Sequence, residues 1–400
     1  MTLSPRWRAV ADSLGLVDAG SVRPTIFAEM SALAVRTGSI NLGQGFPDVD
    51  GPEHVAAAAV AAIRGGHNQY PPGDGIPELR RAISAHQDRH YGLVWDPDTE
   101  VLVTTGATEA IAAAVLALTG PGDEVVVIEP YYDSYAAVVA MAGATLVGVP
   151  LVRDGDAFRL DLAALRAAFT TRTRVMLLNS PHNPTGTVLP REDLAEVARL
   201  AAAADVVVIT DEVYEHLTFG SPHIPMATLP GMAERTLTIS SAGKTLSFTG
   251  WKVGWVTGPA DLVTAVRAIK QFLTYTSGAP LQPAVAAALD DADGRTSQYV
   301  GELAASLSRR RDLLCAGLSE AGFDVVVPDG TYFVVADGAA FSADGAALCR
   351  ELPHRVGVVA VPVSAFCRPG SDAMRSWVRF TFVKQESVLA EAIERLARLG

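Results

Sequence analysis

The chain has 400 residues, more than the roughly 250–300 at which a single core usually stops growing, so at least two packed units are expected. Hydrophobic residues make up 49% and charged residues 19%, with 35 glycines and 24 prolines spread along the chain, a composition that folds throughout. A formal net charge of −12 argues against a nucleic-acid partner or an anionic membrane surface, both of which require a basic face, and leaves small molecules as the expected partners.

The first residues, MTLSPRWRAVADS, contain no apolar h-region, and no stretch approaches ~18 uninterrupted apolar residues, so neither a secretion signal nor a membrane span is expected. The middle of the chain alternates short β-branched runs with Ala/Leu segments. Val101–Thr105, Glu124–Ile128, Thr145–Val149, Arg174–Leu178, Val206–Thr210 and Thr236–Ser240 are predicted as parallel strands. Glu109–Leu118, Tyr135–Met141, Leu162–Phe169 and Arg191–Ala203 have helical apolar spacing and are predicted as the crossovers. Val253–Thr257 follows the preceding strand too closely for a helical return and is predicted to add antiparallel, for seven strands in all. From about Pro283 the pattern changes to a long helix, Tyr299–Ala321, then short strands at Val325–Val327, Tyr332–Ala336, Val356–Ala360 and Val378–Phe382. The expected fold is therefore α/β: a large unit over 46–284 built on a mostly parallel seven-stranded sheet, and a smaller α+β unit from 1–45 and 285–400, with a cleft between them. Three cysteines, Cys315, Cys349 and Cys367, are odd in number and lack metal-ligand spacing, so they read as reduced thiols in a cytoplasmic protein.

Only four of the 32 basic residues are lysines: Lys244, Lys252, Lys270 and Lys384. Codon bias toward arginine accounts for the skew, but the list of amines available for chemistry is short. Lys244 lies in SAGKTLSFTGWKVGW, just past a strand end and among Ser, Thr and Gly. A lysine held in a partly dry cleft near a second cation gives up its proton more easily, which condensation with an aldehyde cofactor requires. Lys252 supplies such a cation; the plain alternative is a solvated surface lysine.

Four further segments meet the same need. In VTTGATEAIAAA, a helix opens at Gly106, Ala107 and Thr108 directly after a strand, and its free N–H groups suit a phosphate, to which Ser241 and Lys252 add contacts. In ITDEVY, Asp211 and Tyr214 emerge at the carboxyl edge of the sheet, where a carboxylate can pair with a protonated ring nitrogen and a phenol can reach a ring oxygen; Asp211 as a helix N-cap is the competing reading. LLNSPHNPTG is a turn with candidate cis bonds at Ser180–Pro181 and Asn183–Pro184, and Asn183 is its candidate ring contact. WVRFTFVK buries Arg379 in an apolar strand, where it needs an anion: a substrate carboxylate or, equally on sequence grounds, a buried Asp or Glu.

Together with NLGQGFPD (41–48), NQYPPGDG (68–75) and IEPYYDSY (128–135), these segments resemble the class I/II aminotransferases of fold type I over essentially the whole chain. The likeness is to the kynurenine/glutamine subgroup and its bacterial relatives, among them methionine aminotransferases and, most of all, actinobacterial N-succinyldiaminopimelate aminotransferases. The resemblance implies pyridoxal phosphate (PLP) as cofactor, anchored on Lys244. Asp211 would pair with the pyridine nitrogen, Tyr214 and Asn183 would bind the ring oxygen, and Tyr132 would stack on the ring. Ala107, Thr108, Ser241 and Lys252 would hold the phosphate, with Tyr70 reaching it from the other subunit of a homodimer. Arg379 would clamp the substrate α-carboxylate, helped by Gly45 and Asn183. Tyr132 stands where the kynurenine enzymes carry Phe, and Ala107 replaces a common Gly. The implied reaction is ping-pong transfer of an amino group from an L-amino acid to a 2-oxo acid such as 2-oxoglutarate, with Lys244 as anchor and proton carrier.

Three other readings compete. A carbon–sulfur β-lyase, oxidase or cyclase keeps the cofactor and changes the reaction. A regulatory module of the same fold lacks support here, since there is no helix-turn-helix segment and the charge is acidic. A nucleotide-binding α/β enzyme would need G-x-G-x-x-G or G-x-x-x-x-G-K-[ST], and neither occurs. Contacts to the substrate side chain are expected from the loops near 15–30 and 270–280, with Arg23, Tyr275 and Ser277 as candidates.

Overall fold

The computed structural model describes residues 6–18 and 21–399. Its large sheet is built from β1 (Val101–Thr105), β2 (Glu124–Glu129), β3 (Thr145–Asp154), β4 (Ala157–Leu160), β5 (Thr173–Asn179), β6 (Val207–Asp211), β7 (Thr236–Ser241) and β8 (Val253–Thr257). The spatial order is β1-β8-β7-β6-β5-β2-β3-β4. As expected, β8 runs antiparallel to both neighbours. The count differs from the sequence reading: β3 continues to Asp154 and folds back through a hairpin into β4, which makes eight strands. Its short, partly exposed edge gives a weak alternation that was not legible as a strand.

The central strands are apolar on both faces because helices cover both. All six residues of β2 are buried, and β5, β6 and β7 are buried almost throughout. The crossover helices Gly106–Leu118, Ser134–Ala142, Leu162–Ala168 and Arg191–Ala204 stand where periodicity put them. The first begins three residues before its apolar pattern because Glu109 turns back to accept from Thr105 N at 2.6 Å and closes the helix start. The bonds Ser180–Pro181 and Asn183–Pro184 are cis, as anticipated, and Glu129–Pro130 is a third.

A second, antiparallel sheet contains Asp324–Val326, Phe333–Asp337, Trp377–Thr381 and Val361–Pro362 in that order. The run read as one strand over 356–360 is divided: Val358–Val359 pairs in parallel with Ile40–Asn41, and the chain then changes partner so that Val361–Pro362 joins Trp377–Thr381. The long helix spans Arg295–Glu320, starting earlier than its apolar pattern because the Asp291 carboxylate accepts from Thr296 N and Ser297 N at 2.7 and 2.9 Å. It packs on Glu386–Leu396 so closely that a Cβ at Gly317 would lie 2.5 Å from Ile393. The core between this sheet and its helices also takes in Tyr214 and Leu217 from just beyond β6, which joins the two sheets through buried apolar surface. No helix among the described residues is long and apolar enough to cross a membrane.

Candidate active site

Strands β1, β5, β6 and β7 all point their carboxyl ends at one edge of the sheet. Thr105, Asn179, Asp211 and Ser241 therefore end at a common level, and strand Trp377–Thr381 of the second sheet faces them. Between lies a cavity of about 420 Å³ whose wall contains eleven of the twelve residues given a cofactor or α-carboxylate role in the sequence: Gly45, Ala107, Thr108, Tyr132, Asn183, Asp211, Tyr214, Ser241, Lys244, Lys252 and Arg379.

Two of the four lysines are committed elsewhere. Lys270 is buried, its ammonium donating to Gly73 O and Tyr275 O at 2.5 and 2.6 Å, and Lys384 donates to Phe46 O at 2.9 Å. Lys244 and Lys252 are the two that face the cavity. Lys244 sits in the single turn Ala242–Thr245 that caps β7, half-buried, and its Nζ donates to the Tyr332 hydroxyl at 2.9 Å. Tyr332 donates onward to Gly45 O at 2.6 Å.

Asp211 is buried at the end of β6, and no helix starts there, so the N-cap reading fails: from the backbone the carboxylate accepts, among the described residues, only a long 3.4 Å bond from Val213 N. Its Oδ2 accepts from Tyr135 Oη at 2.5 Å. Burial raises its pKa to about 6, against the Tyr135 and Val213 bonds and the Lys244 charge, which lower it. No basic side chain lies within ion-pair distance of it among the described residues. A buried carboxylate so placed lacks a cationic donor.

Arg379 is 2% exposed and, among the described residues, has no carboxylate within ion-pair distance, which removes the buried ion pair as its explanation. Nη2 donates to Gly43 O at 2.8 Å and Nη1 to Asn183 Oδ1 at 3.0 Å, while Nε is buried without a partner. The guanidinium lies 3.9 Å from the centre of the Phe333 ring and 4.6 Å from that of Phe366. Burial pushes its pKa down to about 10, so the group remains a cation at neutral pH but one that lacks an anion. Asn183 is itself held by Asn179, whose Oδ1 accepts from Asn183 N at 2.7 Å while Nδ2 donates to Asp211 O at 2.7 Å. One asparagine thus ties the turn to β6.

The helix Gly106–Leu118 opens with Gly106 at φ 71°, and β8 approaches it so closely that a Cβ at Gly254 would lie 2.6 Å from the Gly106 carbonyl carbon. Its first-turn N–H groups, Ser241 and Lys252 face the same end of the cavity. Tyr132 lines the wall edge-on to Tyr135, with ring centres 5.8 Å apart.

Tyr70 is not part of this cavity: it is 83% exposed, with its ring edge against Tyr275. Arg23, Tyr275 and Ser277 do not line it either. Arg23 donates to Gly15 O at 3.0 Å, and the Ser277 hydroxyl bonds that of Thr105 at 2.9 Å. Sequence reasoning missed Tyr332 and Tyr135. Tyr332 was visible only as a strand residue, and Tyr135 only as an apolar helix position; no local signal separates either from core.

The donor set suits pyridoxal phosphate. It offers a reachable amine, a buried carboxylate without a cation for a protonated ring nitrogen, a phenol and an amide for the ring oxygen, and open N–H groups beside a lysine for the phosphate. Residues 37–396 match the class I and II aminotransferase family. The chain belongs to the class I and II aminotransferases and is a PLP-dependent enzyme of fold type I. It is 58% identical, over 94% of its length and 96% of the relative's, to a probable N-succinyldiaminopimelate aminotransferase of Mycobacterium tuberculosis (strain ATCC 25618 / H37Rv). It is 39% identical to the methionine aminotransferase of Escherichia coli (strain K12), over 94% and 96%. The solved N-succinyldiaminopimelate aminotransferase from Mycobacterium tuberculosis superposes with a TM-score of 0.92 at 56% identity over 100% of both chains. Thermus thermophilus aspartate aminotransferase with maleate superposes with a TM-score of 0.90 at 34% identity, again over 100% of both.

Proposed function

We propose that this aminotransferase takes N-succinyl-LL-diaminopimelate as amino donor and 2-oxoglutarate as acceptor, with Lys244 as the residue that carries the cofactor and moves the proton. What supports the donor is the 58% identity along 385 residues to a probable N-succinyldiaminopimelate aminotransferase. What supports the residue roles is the meeting of Lys244, Asp211 and an anion-less Arg379 around one cavity.

Bound there, the cofactor ring acts as an electron sink that acidifies the α-hydrogen of the amino acid. Arg379 clamps the α-carboxylate, with Asn183 and Gly45 fixing its orientation. Asp211, held by Tyr135, would pair with the protonated ring nitrogen, Tyr214 and Asn183 would bind the ring oxygen, and Tyr132 would pack against the ring. Ala107, Thr108, Ser241 and Lys252 hold the phosphate. The Lys244 amine takes the α-proton from one carbon and returns it to another, so a single group serves as base and acid. Tyr332 holds that amine in place.

Tyr70, exposed on this chain, acts from the partner subunit of a homodimer in a cytoplasmic enzyme. The two units are taken as 46–284 and as 1–45 with 285–400; this boundary falls inside helix Leu281–Asp290, which packs on helices Glu53–Arg64 and Pro77–Tyr91. The test is an absorbance spectrum of the purified enzyme with a panel of amino acids. A shift of the long-wavelength band to shorter wavelength with the succinylated donor, and not with methionine or kynurenine, supports the proposal; a response to methionine alone sinks the assigned donor. Release of pyruvate and ammonia from a cysteine conjugate would favour the β-lyase.

A further inference from the structure

A second cavity of about 260 Å³ lies behind the Lys244 turn, with Ala242, Thr245 and Leu246 on one wall and three histidines on another. His86 and His90 are four residues apart on helix Pro77–Tyr91 and so share a face. His216 reaches them from the segment that follows β6. We propose that His86, His90 and His216 form a binding site for a divalent transition-metal ion of the zinc class, separate from the cofactor site.

Each of the three offers a ring nitrogen within 4.8 Å of the other two. The His86 and His216 Nε2 atoms share a 2.8 Å hydrogen bond, which an entering ion replaces, and the ring centres are separated by 4.5 to 5.1 Å. Two ligands of a tetrahedral zinc with bonds of about 2.0–2.1 Å sit roughly 3.3 Å apart, so the pair opens by about half an ångström to admit an ion. Apart from that mutual bond, no hydrogen bond engages the three rings among the described residues. Among the described residues no carbonyl or carboxylate lies within hydrogen-bond distance of any of the three rings, and His86 Nδ1 is buried with no partner at all.

The surrounding charge favours a cation. Glu215 is fully enclosed and reached by Tyr91 Oη at 2.8 Å and by the Ser240 hydroxyl; its nearest basic partner is His216 Nε2, at 3.9 Å. Three imidazole nitrogens beside a buried carboxylate form the donor set of a zinc-like ion, and the cavity leaves room for a water as fourth ligand. Arg89, the cation on this wall, has its Nη2 engaged by Leu289 O at 2.6 Å.

The experiment uses tag-free holoenzyme, freed of metal and titrated with Zn²⁺ against a chromophoric chelator, with Co²⁺ as a spectroscopic probe, alongside His90→Gln and His216→Gln. The expected result is one zinc per chain, Co²⁺ ligand-field bands of a nitrogen-rich site, and affinity weakened roughly a hundredfold in each variant. His90 is exposed at the rim, so His90→Gln leaves the fold intact and decides the matter if His216→Gln does not fold. Failure to bind one equivalent, or unchanged affinity in His90→Gln, overturns the proposal whatever the transaminase assay gives.

Discussion

Lys244 Nζ and Tyr332 Oη are bonded at 2.9 Å, and Tyr332 is anchored on Gly45 O at 2.6 Å, so the amine at the end of β7 is fixed by a residue just before strand Phe333–Asp337 of the second sheet and by the loop after Ile40–Asn41. Tyr332→Phe removes one bond to the amine and leaves the ring in place. A hydrogen bond worth about 1–1.5 kcal/mol corresponds to roughly a tenfold loss in kcat, with KM for the amino acid within about twofold. An unchanged kcat would show that the bond does not orient the proton carrier.

Asp211 supplies a pH signature in the cofactor-free protein. Its folded pKa of about 6 lies above the ordinary carboxyl value of 3.8, so its contribution to stability is fully present below about 4 and is lost as pH rises through 6. Asp211→Asn mimics the neutral acid. The two proteins are therefore expected to melt alike near pH 4, with the variant more stable at pH 7 by up to about 3 kcal/mol. Equal melting temperatures across that range would refute the buried, raised carboxyl. In the holoenzyme the same substitution is expected to lower kcat by orders of magnitude.

Arg379→Lys retains the charge and loses the planar fork that reaches Gly43 and Asn183 together. Two charge-assisted bonds amount to roughly 3 kcal/mol, so KM for both the amino acid and the oxo acid is expected to rise about a hundredfold, while the cofactor absorbance stays as in the wild type. A rise for one substrate only would mean that the clamp is not shared by the two half-reactions.

Gly254→Ala tests the phosphate turn from outside. Its new methyl would meet the backbone of Gly106 and Ala107 at 2.6 to 2.8 Å and displace the helix start. Titration of the cofactor-free variant with pyridoxal phosphate is expected to show binding at least about tenfold weaker, in line with other supporting contacts around a bound group. Wild-type affinity would separate that turn from the phosphate.

The residues whose roles depend on their own backbone position were legible in the sequence. Lys244 follows β7, Asp211 ends β6, Asn183 lies in a proline-rich turn after β5 and Gly106 opens a helix after β1; once alternating runs predict a parallel sheet, all four must reach its carboxyl edge. Arg379 was visible as a charge out of place in an apolar strand. Whether its partner was a carboxylate of the protein or of a substrate could not be read along the chain, because that depends on what a different strand brings opposite it. Tertiary structure decided this by surrounding Arg379 with Asn183, Gly43 and aromatic rings and, among the described residues, no acid within ion-pair distance.

The same limit explains the rest. Tyr135 and Tyr332 read as core because a buried phenol and a buried phenyl obey the same periodicity, and the bonds that distinguish them run to residues 76 and 88 positions away. The division of the 356–360 run between two sheets, and the meeting of His216 with His86 across 130 positions, are likewise products of packing. Patterning over a few residues sets which segments are strands and helices and which ends carry reactive groups. Which groups touch is decided only when distant segments are packed against one another, because hydrogen bonds and desolvation act over a few ångströms of space and are indifferent to separation along the chain.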